Sequence, residues 1–310
     1  MIDQAAATLR AGGLVAFPTE TVYGLGANAL DEDAVRRLFA VKGRPVDNPL
    51  IVHLDDASHL DAVVSTVTPL ARRLAARYWP GPLTLVLQAA PAVPAVTRGG
   101  LETVAVRVPD HPVALRLLRA AGVPVAAPSA NRSGRPSPTT AEHVRADLGD
   151  AVDVIVDGGP CGLGLESTVV DARGAVPIVL REGMITREEL GVTPGPTSSA
   201  DAVGASPGTR YRHYTPACRV EIAPPGQAAA TAGRLADAGE HVGLVGTEPA
   251  PANVIEIARV AGAETLATHL YASLRAAEAA GVDVVVIEAV AERGVGRAVM
   301  DRLRRAASDR

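Results

Sequence analysis

The strongest constraint on the fold is an alternation. Short apolar runs such as "GLVAF" (13–17), "LIVHL" (50–54), "LTLVL" (83–87) and "TVAVRVP" (103–109) are interleaved with longer stretches of helical periodicity. Compact apolar runs are the mark of strands buried on both faces, and strands alternating with amphipathic helices build an α/β domain. The helical stretches carry their own punctuation. Asp31 is placed to cap "DEDAVRRLFAVKG", which has acids in its first turn and stops at Gly43 before Pro45. Thr68 caps "TPLARRLAARYW", "HPVALRLLRAAG" forms another helix, and Thr139 or Thr140 caps "TTAEHVRADLG", which ends at Gly149. "VPVAAP", "AVDVIVD", "STVVD" and "PIVLREG" add further strands without a strict repeat, so a mixed sheet is expected.

The alternation breaks over "VTPGPTSSADAVGASPGTRYRHYTPA", which is rich in Pro, Gly, Ser and Thr. This divides the chain into a first domain (1–196), a linker (197–218) and a small domain (219–310). In the last, "RVEIAP", "HVGLVG", "NVIEIA" and "VDVVVIEAV" read as strands, with helices near 227–238, 264–280 and 295–308. The reading is a Rossmann-like unit, but one without G-x-G-x-x-G, so dinucleotide binding there is not supported.

With 310 residues, 47% of them hydrophobic, the chain has enough length and apolar content for two ordinary domains. Lys and Arg total 30 against 34 acidic residues, and no basic block marks a nucleic-acid arm, so any anion site must be local. Aromatics at 3% argue against a base-stacking platform. Cys161 and Cys218 have no C-x-x-C companion, which supports neither a zinc site nor a disulfide framework and fits a reducing cytoplasm. "MIDQAAATLRAGG" does not read as a signal peptide, and no apolar run reaches the roughly 18–20 residues of a membrane span. A soluble, cytoplasmic protein is expected.

Lys42, in "KGRPVDNPLIVHL", is the only lysine in the chain. A lone lysine at a helix C-terminus complements the helix dipole, yet arginine would serve there too, and Arg44 two residues on makes a pair of cations that could converge on one anion. "PSANRSGRPSPTT" (128–140) follows a strand and carries Ser129, Asn131, Ser133 and Ser137, at the strand end where open α/β sheets bind ligands. Composition alone favours a solvated Ser/Pro/Gly loop slightly, and the stretch does not match a P-loop. "PTETVYGLGANAL" places Thr19, Glu20 and Thr21 after a strand, before glycines that read either as a plain turn or as close backbone approach to a ligand. His53 lies inside an apolar strand, where a histidine is usually a hydrogen-bonded core residue. Arg107 interrupts another apolar strand and needs an anionic partner from protein or ligand. "GLGLESTVVD" and "VLREG" add Glu166, Ser167, Thr168 and Arg181, and "SPGTRYRHYTP" puts Tyr211 and Tyr214 in the linker as docking contacts or a lid.

Taken in order, "FPTETVYGLGANAL", "KGRPVDNPLIVHL", "PSANRSGRPSPT", "GLGLESTVVD", "VLREG" and "SPGTRYRHYTP" closely resemble the two-domain form of the YrdC-type threonylcarbamoyl-AMP synthases. The resemblance implies a YrdC-like twisted mixed sheet with a concave site, followed by a small Rossmann-like α/β domain. It also implies a reaction: L-threonine, bicarbonate and ATP, with Mg²⁺, give threonylcarbamoyl-AMP, pyrophosphate and water. The product passes to a downstream tRNA threonylcarbamoyl transferase. The family's K-x-R and S-x-N motifs fall on Lys42, Arg44, Ser129 and Asn131 as catalytic residues. Threonine is then expected at Thr21, His53, Arg107, Ala127, Ser167 and Thr168. ATP is expected at Arg44, Asn48, Thr103, Ser129, Ser137 and Arg181, with Tyr211 and Tyr214 closing above. Thr209, Arg210, Thr215 and Asp301 depart from residues common in the family, which affects the lid contacts rather than the reaction. A double-stranded RNA or tRNA-binding module without catalysis is the competing reading, and a weak tRNA contact is compatible with either.

Overall fold

The computed structural model describes residues 1–192 and 214–308. The chain divides into two units, the second also taking in Gly134–Pro136 and Leu163–Leu165. The ten strands of the first unit form one mixed sheet. They are β1 (Val15–Phe17), β2 (Gly24–Asn28), β3 (Ile51–His53), β4 (Val64–Thr66), β5 (Leu83–Ala89), β6 (Thr103–Arg107), β7 (Val125–Ala126), β8 (Val154–Ile155), β9 (Thr168–Asp171) and β10 (Ile178–Arg181). Their order is β10-β9-β5-β6-β3-β7-β2-β1-β8, with β4 beside β5. The pairs β3–β6, β5–β9 and β1–β8 are parallel and the rest antiparallel.

Five α-helices among the described residues cover this sheet: α1 (Ile2–Arg10), α2 (Glu32–Lys42), α3 (Pro69–Tyr78), α4 (Pro112–Ala121) and α5 (Ala141–Leu148). The caps expected from the sequence are present. Asp31 accepts from the backbone N–H of Asp33 and Ala34, Thr68 from Ala71 and Thr140 from His143, while Gly43 ends α2 in the left-handed region. One sheet face packs Leu25, Val52, Leu85, Val106 and Val170 against α2, α3 and α5, forming the main core. Because side chains alternate along a strand, the neighbouring residues face the other way. There α1 and α4 cover Val15, Phe17, Val125 and Ala127, and Ile51, Val86, Ala105 and Val169 form a separate small cluster. That second face, in the middle of the sheet, carries His53 and Arg107.

The strand β2 runs through "GLGAN", whose glycines read from the sequence either as a plain turn or as close backbone approach to a ligand. The glycines belong to the strand because the face is already full. A Cβ on Gly26 would lie 2.8 Å from Val125 Cγ1 and 2.9 Å from Phe17 Cε1. Here glycine supplies room for neighbours rather than a turn.

The second unit contains β11 (Arg219–Ala223), α6 (Ala228–Asp237), β12 (Val242–Gly246), β13 (Ile255–Arg259), α7 (Ala263–Ala279), β14 (Val284–Glu288) and α8 (Gly296–Ala307). Its strands form an all-parallel sheet in the order β11-β14-β12-β13 around Leu244, Val284, Val286 and Ala232. Glu288, at the carboxyl end of β14, ties the loops together by accepting from the N–H of Gly226 and of Thr247 and from the Thr247 hydroxyl. No helix among the described residues is long and apolar enough to cross a membrane.

Candidate active site

Lys42 is the last residue of α2, and its side chain turns inward and is almost wholly buried. Its ammonium donates to the main-chain carbonyls of Ser129 and Asn131, each at 2.5 Å. The tie is reciprocal, since the Ser133 N–H donates to the Lys42 carbonyl at 2.8 Å. Burial, then the positive charge of Arg44, lowers the Lys42 pKa well below its ordinary value, while Asp147 works the other way. The loop it grips is also stitched to β2. Leu25 N–H donates to the Pro128 carbonyl and Ala130 N–H to the Tyr23 carbonyl. Within the loop the Ser129 hydroxyl donates to Asn131 Oδ1. Lys42, Ser129 and Asn131 therefore meet, with the lysine reaching backbone rather than the two side chains.

Arg44 folds over the loop that follows, donating from Nε and Nη2 to the carbonyls of Asn48 and Pro49. Asn48 is fully buried. Ser137, also buried, donates to Glu166 Oε1 at 2.7 Å, joining the 128–140 loop to "GLGLEST".

The second cluster is built on the uncovered part of the sheet. His53 and Arg107 are register partners at the ends of β3 and β6, on the face of Ile51 and Ala105. Arg107 is 3% exposed; Nε donates to the Gly81 carbonyl and Nη1 to the Thr21 hydroxyl. Nη2 lies 2.5 Å from Glu20 Oε1. That contact is an ion pair off the hydrogen-bond axis, for Nη2 and both Glu20 carboxylate oxygens are buried without a hydrogen-bond partner. The anionic neighbour that Arg107 requires is thus Glu20. His53 Nδ1 is 3.2 Å from the Ile51 carbonyl, and burial together with the Arg107 charge pushes its pKa down to about 3. Ala127 closes this side through its N–H to the Ile51 carbonyl.

Ser167 and Arg181 form the far wall. The Ser167 hydroxyl shares a hydrogen bond of 2.8 Å with Thr84 of β5, and Arg181 donates to the Ser167 carbonyl and hydroxyl. Thr168, one residue on, faces the opposite side of the sheet, where its hydroxyl donates to the Ile185 carbonyl. Of this expected pair, Ser167 is on the site face and Thr168 supports it from behind. Thr103 shares the face of Arg107 but starts β6 four residues earlier, against Gln88. Tyr211 lies outside the described residues. Tyr214 belongs to the second unit, buried at a φ of 73°, stacked on Tyr271 at 5.2 Å and beneath the Arg302 guanidinium.

Two residues here escape a reading of the sequence alone. Thr84 is hidden in "LTLVL", where threonine is an ordinary strand former. Glu20 stands in a visible motif, but nothing in its spacing pairs it with a residue 87 positions away. Both cysteines are buried, and burial pushes the Cys161 thiol up to about 12, so it is no ready nucleophile. No group of three or more His, Cys, Asp or Glu side chains able to hold a metal occurs among the described residues. The donor set fits no all-protein metal cage, and a magnesium ion would have to arrive on phosphate oxygens.

The site is therefore a cluster of arginine, carboxylate, imidazole and hydroxyls beside a loop gripped by Lys42, on a mixed α/β sheet. Such a constellation suits an enzyme that handles anions without a covalent nucleophile. The Sua5/YciO/YrdC family model, described as telomere recombination, matches residues 7–183, and a model described as the C-terminal domain of threonylcarbamoyl-AMP synthase matches residues 182–308. A Bacillus subtilis threonylcarbamoyl-AMP synthase is 45% identical over all of this chain and 93% of its own length. The crystal structure of Pyrococcus abyssi Sua5 complexed with L-threonine superimposes with a TM-score of 0.90 at 42% identity, covering 99% of this chain and 94% of that one. Escherichia coli YciO has a TM-score of 0.55 at 29% identity over 61% of this chain and 92% of its own. The chain belongs to the threonylcarbamoyl-AMP synthase family.

Proposed function

We propose that this protein is an L-threonylcarbamoyladenylate synthase, joining L-threonine, bicarbonate and ATP into threonylcarbamoyl-AMP with release of pyrophosphate and water. The observation that carries the reading is the Arg107 cluster in a chain that matches a threonine-bound relative over nearly its whole length. Arg107 offers a guanidinium to the amino acid's carboxylate, while Thr21 and Ser167 offer hydroxyls and Ala127 a close apolar contact. Arg44, Asn48, Thr103, Ser129, Ser137 and Arg181 are assigned to ATP, with Lys42 fixing the loop that carries Ser129 and Asn131.

The chemistry asks for this kind of site. The threonine amine must become a carbamate, whose oxygen attacks the α-phosphate. Negative charge from carbamate and triphosphate gathers in one place, so preorganised cations lower the barrier more than a nucleophile would. Mg²⁺ bound to the nucleotide would neutralise part of the phosphate charge. A carbamate loses CO₂ readily in water, so the reaction requires a site that excludes solvent. The product would then serve a transferase that modifies tRNA. The RNA-binding alternative is not favoured, since the net charge is −4, the Bacillus subtilis relative is a threonylcarbamoyl-AMP synthase and the Pyrococcus abyssi one binds L-threonine.

The test is incubation with ATP, Mg²⁺, bicarbonate and each amino acid in turn, followed by chromatography. A new adenylate that requires both threonine and bicarbonate is expected. An adenylate formed without bicarbonate would mark an ordinary aminoacyl-adenylate former and overturn the proposal.

A further inference from the structure

Glu20 pairs with Arg107 but has no role toward the substrate in the account above. It lies three residues past the end of β1, packs against Arg107, and lies near His111 and Cys161. Both its oxygens are buried and accept no hydrogen bond, and the facing Arg107 Nη2 donates none. Leaving three such groups unbonded is costly, and in a native structure such groups call for an explanation, a catalytic role or a bound ligand among them. Resting on the synthase reading, we infer that Glu20 holds the α-ammonium of threonine beside the carboxylate on Arg107 and takes the proton released when the carbamate forms.

The chemistry of the ligand matches the pair. An amino-acid zwitterion presents an ammonium and a carboxylate on adjacent carbons, so it satisfies a carboxylate and a guanidinium that already touch. The alternatives nearby are poor acceptors. His53 is kept neutral and weakly basic by burial and by Arg107, and burial keeps Cys161 a thiol. His111 is spent in part on the Val113 N–H. The step balances as follows: the threonine ammonium, bicarbonate and the Glu20 carboxylate give the carbamate, one water and the Glu20 carboxylic acid. The N–C bond forms, the bicarbonate C–OH bond breaks, one ammonium proton leaves with the hydroxyl as water, and a second goes to Glu20.

The experiment is calorimetric binding and steady-state turnover for wild type, Glu20→Gln and Glu20→Asp. Three ligands are compared: L-threonine, threoninol, which lacks the carboxylate, and 3-hydroxybutanoate, which lacks the amine. Glu20→Gln is expected to weaken threonine and threoninol about tenfold or more, the loss of one charge-assisted hydrogen bond, while 3-hydroxybutanoate binds within about twofold of wild type. At saturating threonine its kcat falls by about 10²-fold, the typical worth of a positioned base, and Glu20→Asp recovers part of it. Should Glu20→Gln not fold, Glu20→Asp carries the same comparison, with threonine weakened and 3-hydroxybutanoate unchanged. Equal losses for all three ligands would make Glu20 merely structural, and an unchanged kcat would remove it as proton acceptor. Either result overturns the inference while wild-type adenylate formation leaves the synthase reading intact; a wild type that neither binds threonine nor forms the adenylate overturns both.

Discussion

Replacing Lys42 tests the geometry most directly. The ammonium satisfies two main-chain carbonyls, Ser129 O and Asn131 O, from a side chain that is 3% exposed. Lys42→Met keeps most of the stem and removes the donor. Each buried carbonyl left unsatisfied costs about 1–3 kcal/mol, so the variant should lose about 2–6 kcal/mol. At about 2–4 °C per kcal/mol for a domain of this size, the melting temperature falls by roughly 4–24 °C. The freed loop also loses its register on β2 and Ser129 with it, so adenylate formation falls by about 10²-fold, comparable to losing one transition-state donor. Lys42→Arg should not rescue, because a planar fork cannot replace a compact ammonium between two carbonyls. Thermal unfolding by circular dichroism and chromatographic adenylate assay measure the two effects. A melting temperature within about 1 °C of wild type would refute the carbonyl clamp, and full activity in Lys42→Met would remove Lys42 from the site.

The neighbouring residues give further tests. Arg107→Lys keeps a charge beside Glu20 but loses the fork, so it should fold while threonine binding weakens about 10- to 100-fold by calorimetry; unchanged affinity would show that Arg107 does not meet the carboxylate. His53 is held neutral down to about pH 3 in the fold but binds a proton near pH 6.5 when unfolded. Between those values the unfolded state binds more protons, so stability falls as pH falls, by up to about 1.4 kcal/mol per pH unit from this group. Urea unfolding from pH 7 to 5 should therefore show a shallower pH slope for His53→Gln than for wild type, and parallel slopes would contradict the burial of a neutral imidazole. A Cβ on Gly183 would lie 2.4 Å from Thr168 N and 2.6 Å from Glu166 O. Gly183→Ala should thus cost about 1–3 kcal/mol in urea unfolding and raise the apparent KM for threonine by shifting Ser167, whereas a neutral result would mean the backbone gives way freely.

The elements that a reader of the sequence recovers are those whose signal is local. Asp31, Thr68 and Gly43 sit at helix ends and satisfy backbone groups within four residues, so their identity alone marks the boundary. The β2 strand is missed because its glycines answer to Phe17 and Val125, not to their own neighbours. The site follows the same division. Lys42 stands out as the only lysine, but its partners lie 87 and 89 residues away and are main-chain carbonyls, which no side-chain motif records. Ser167 and Thr168 are equivalent in sequence and become distinct only through the two-residue period of the strand, which sends one to Thr84 and the other to Ile185.

That division also answers why a chain using arginine almost everywhere has one lysine here. At the surface, arginines pair with carboxylates through forked contacts, as Arg37 does with Asp153 and Arg219 with Glu240. At residue 42 the acceptors are two carbonyls from nearly adjacent residues of one loop, converging on a point inside the core. A guanidinium would bring five donors in one plane to two acceptors and leave the rest buried unpaired, whereas an ammonium on an unbranched stem reaches the point with a single compact charge. The cost of burying that charge is visible in its lowered pKa and is offset by Asp147 and the two short hydrogen bonds. A buried charge kept at such cost holds the 129–131 loop in one conformation before any substrate arrives, and preorganisation of that kind is what the proposed reaction draws on.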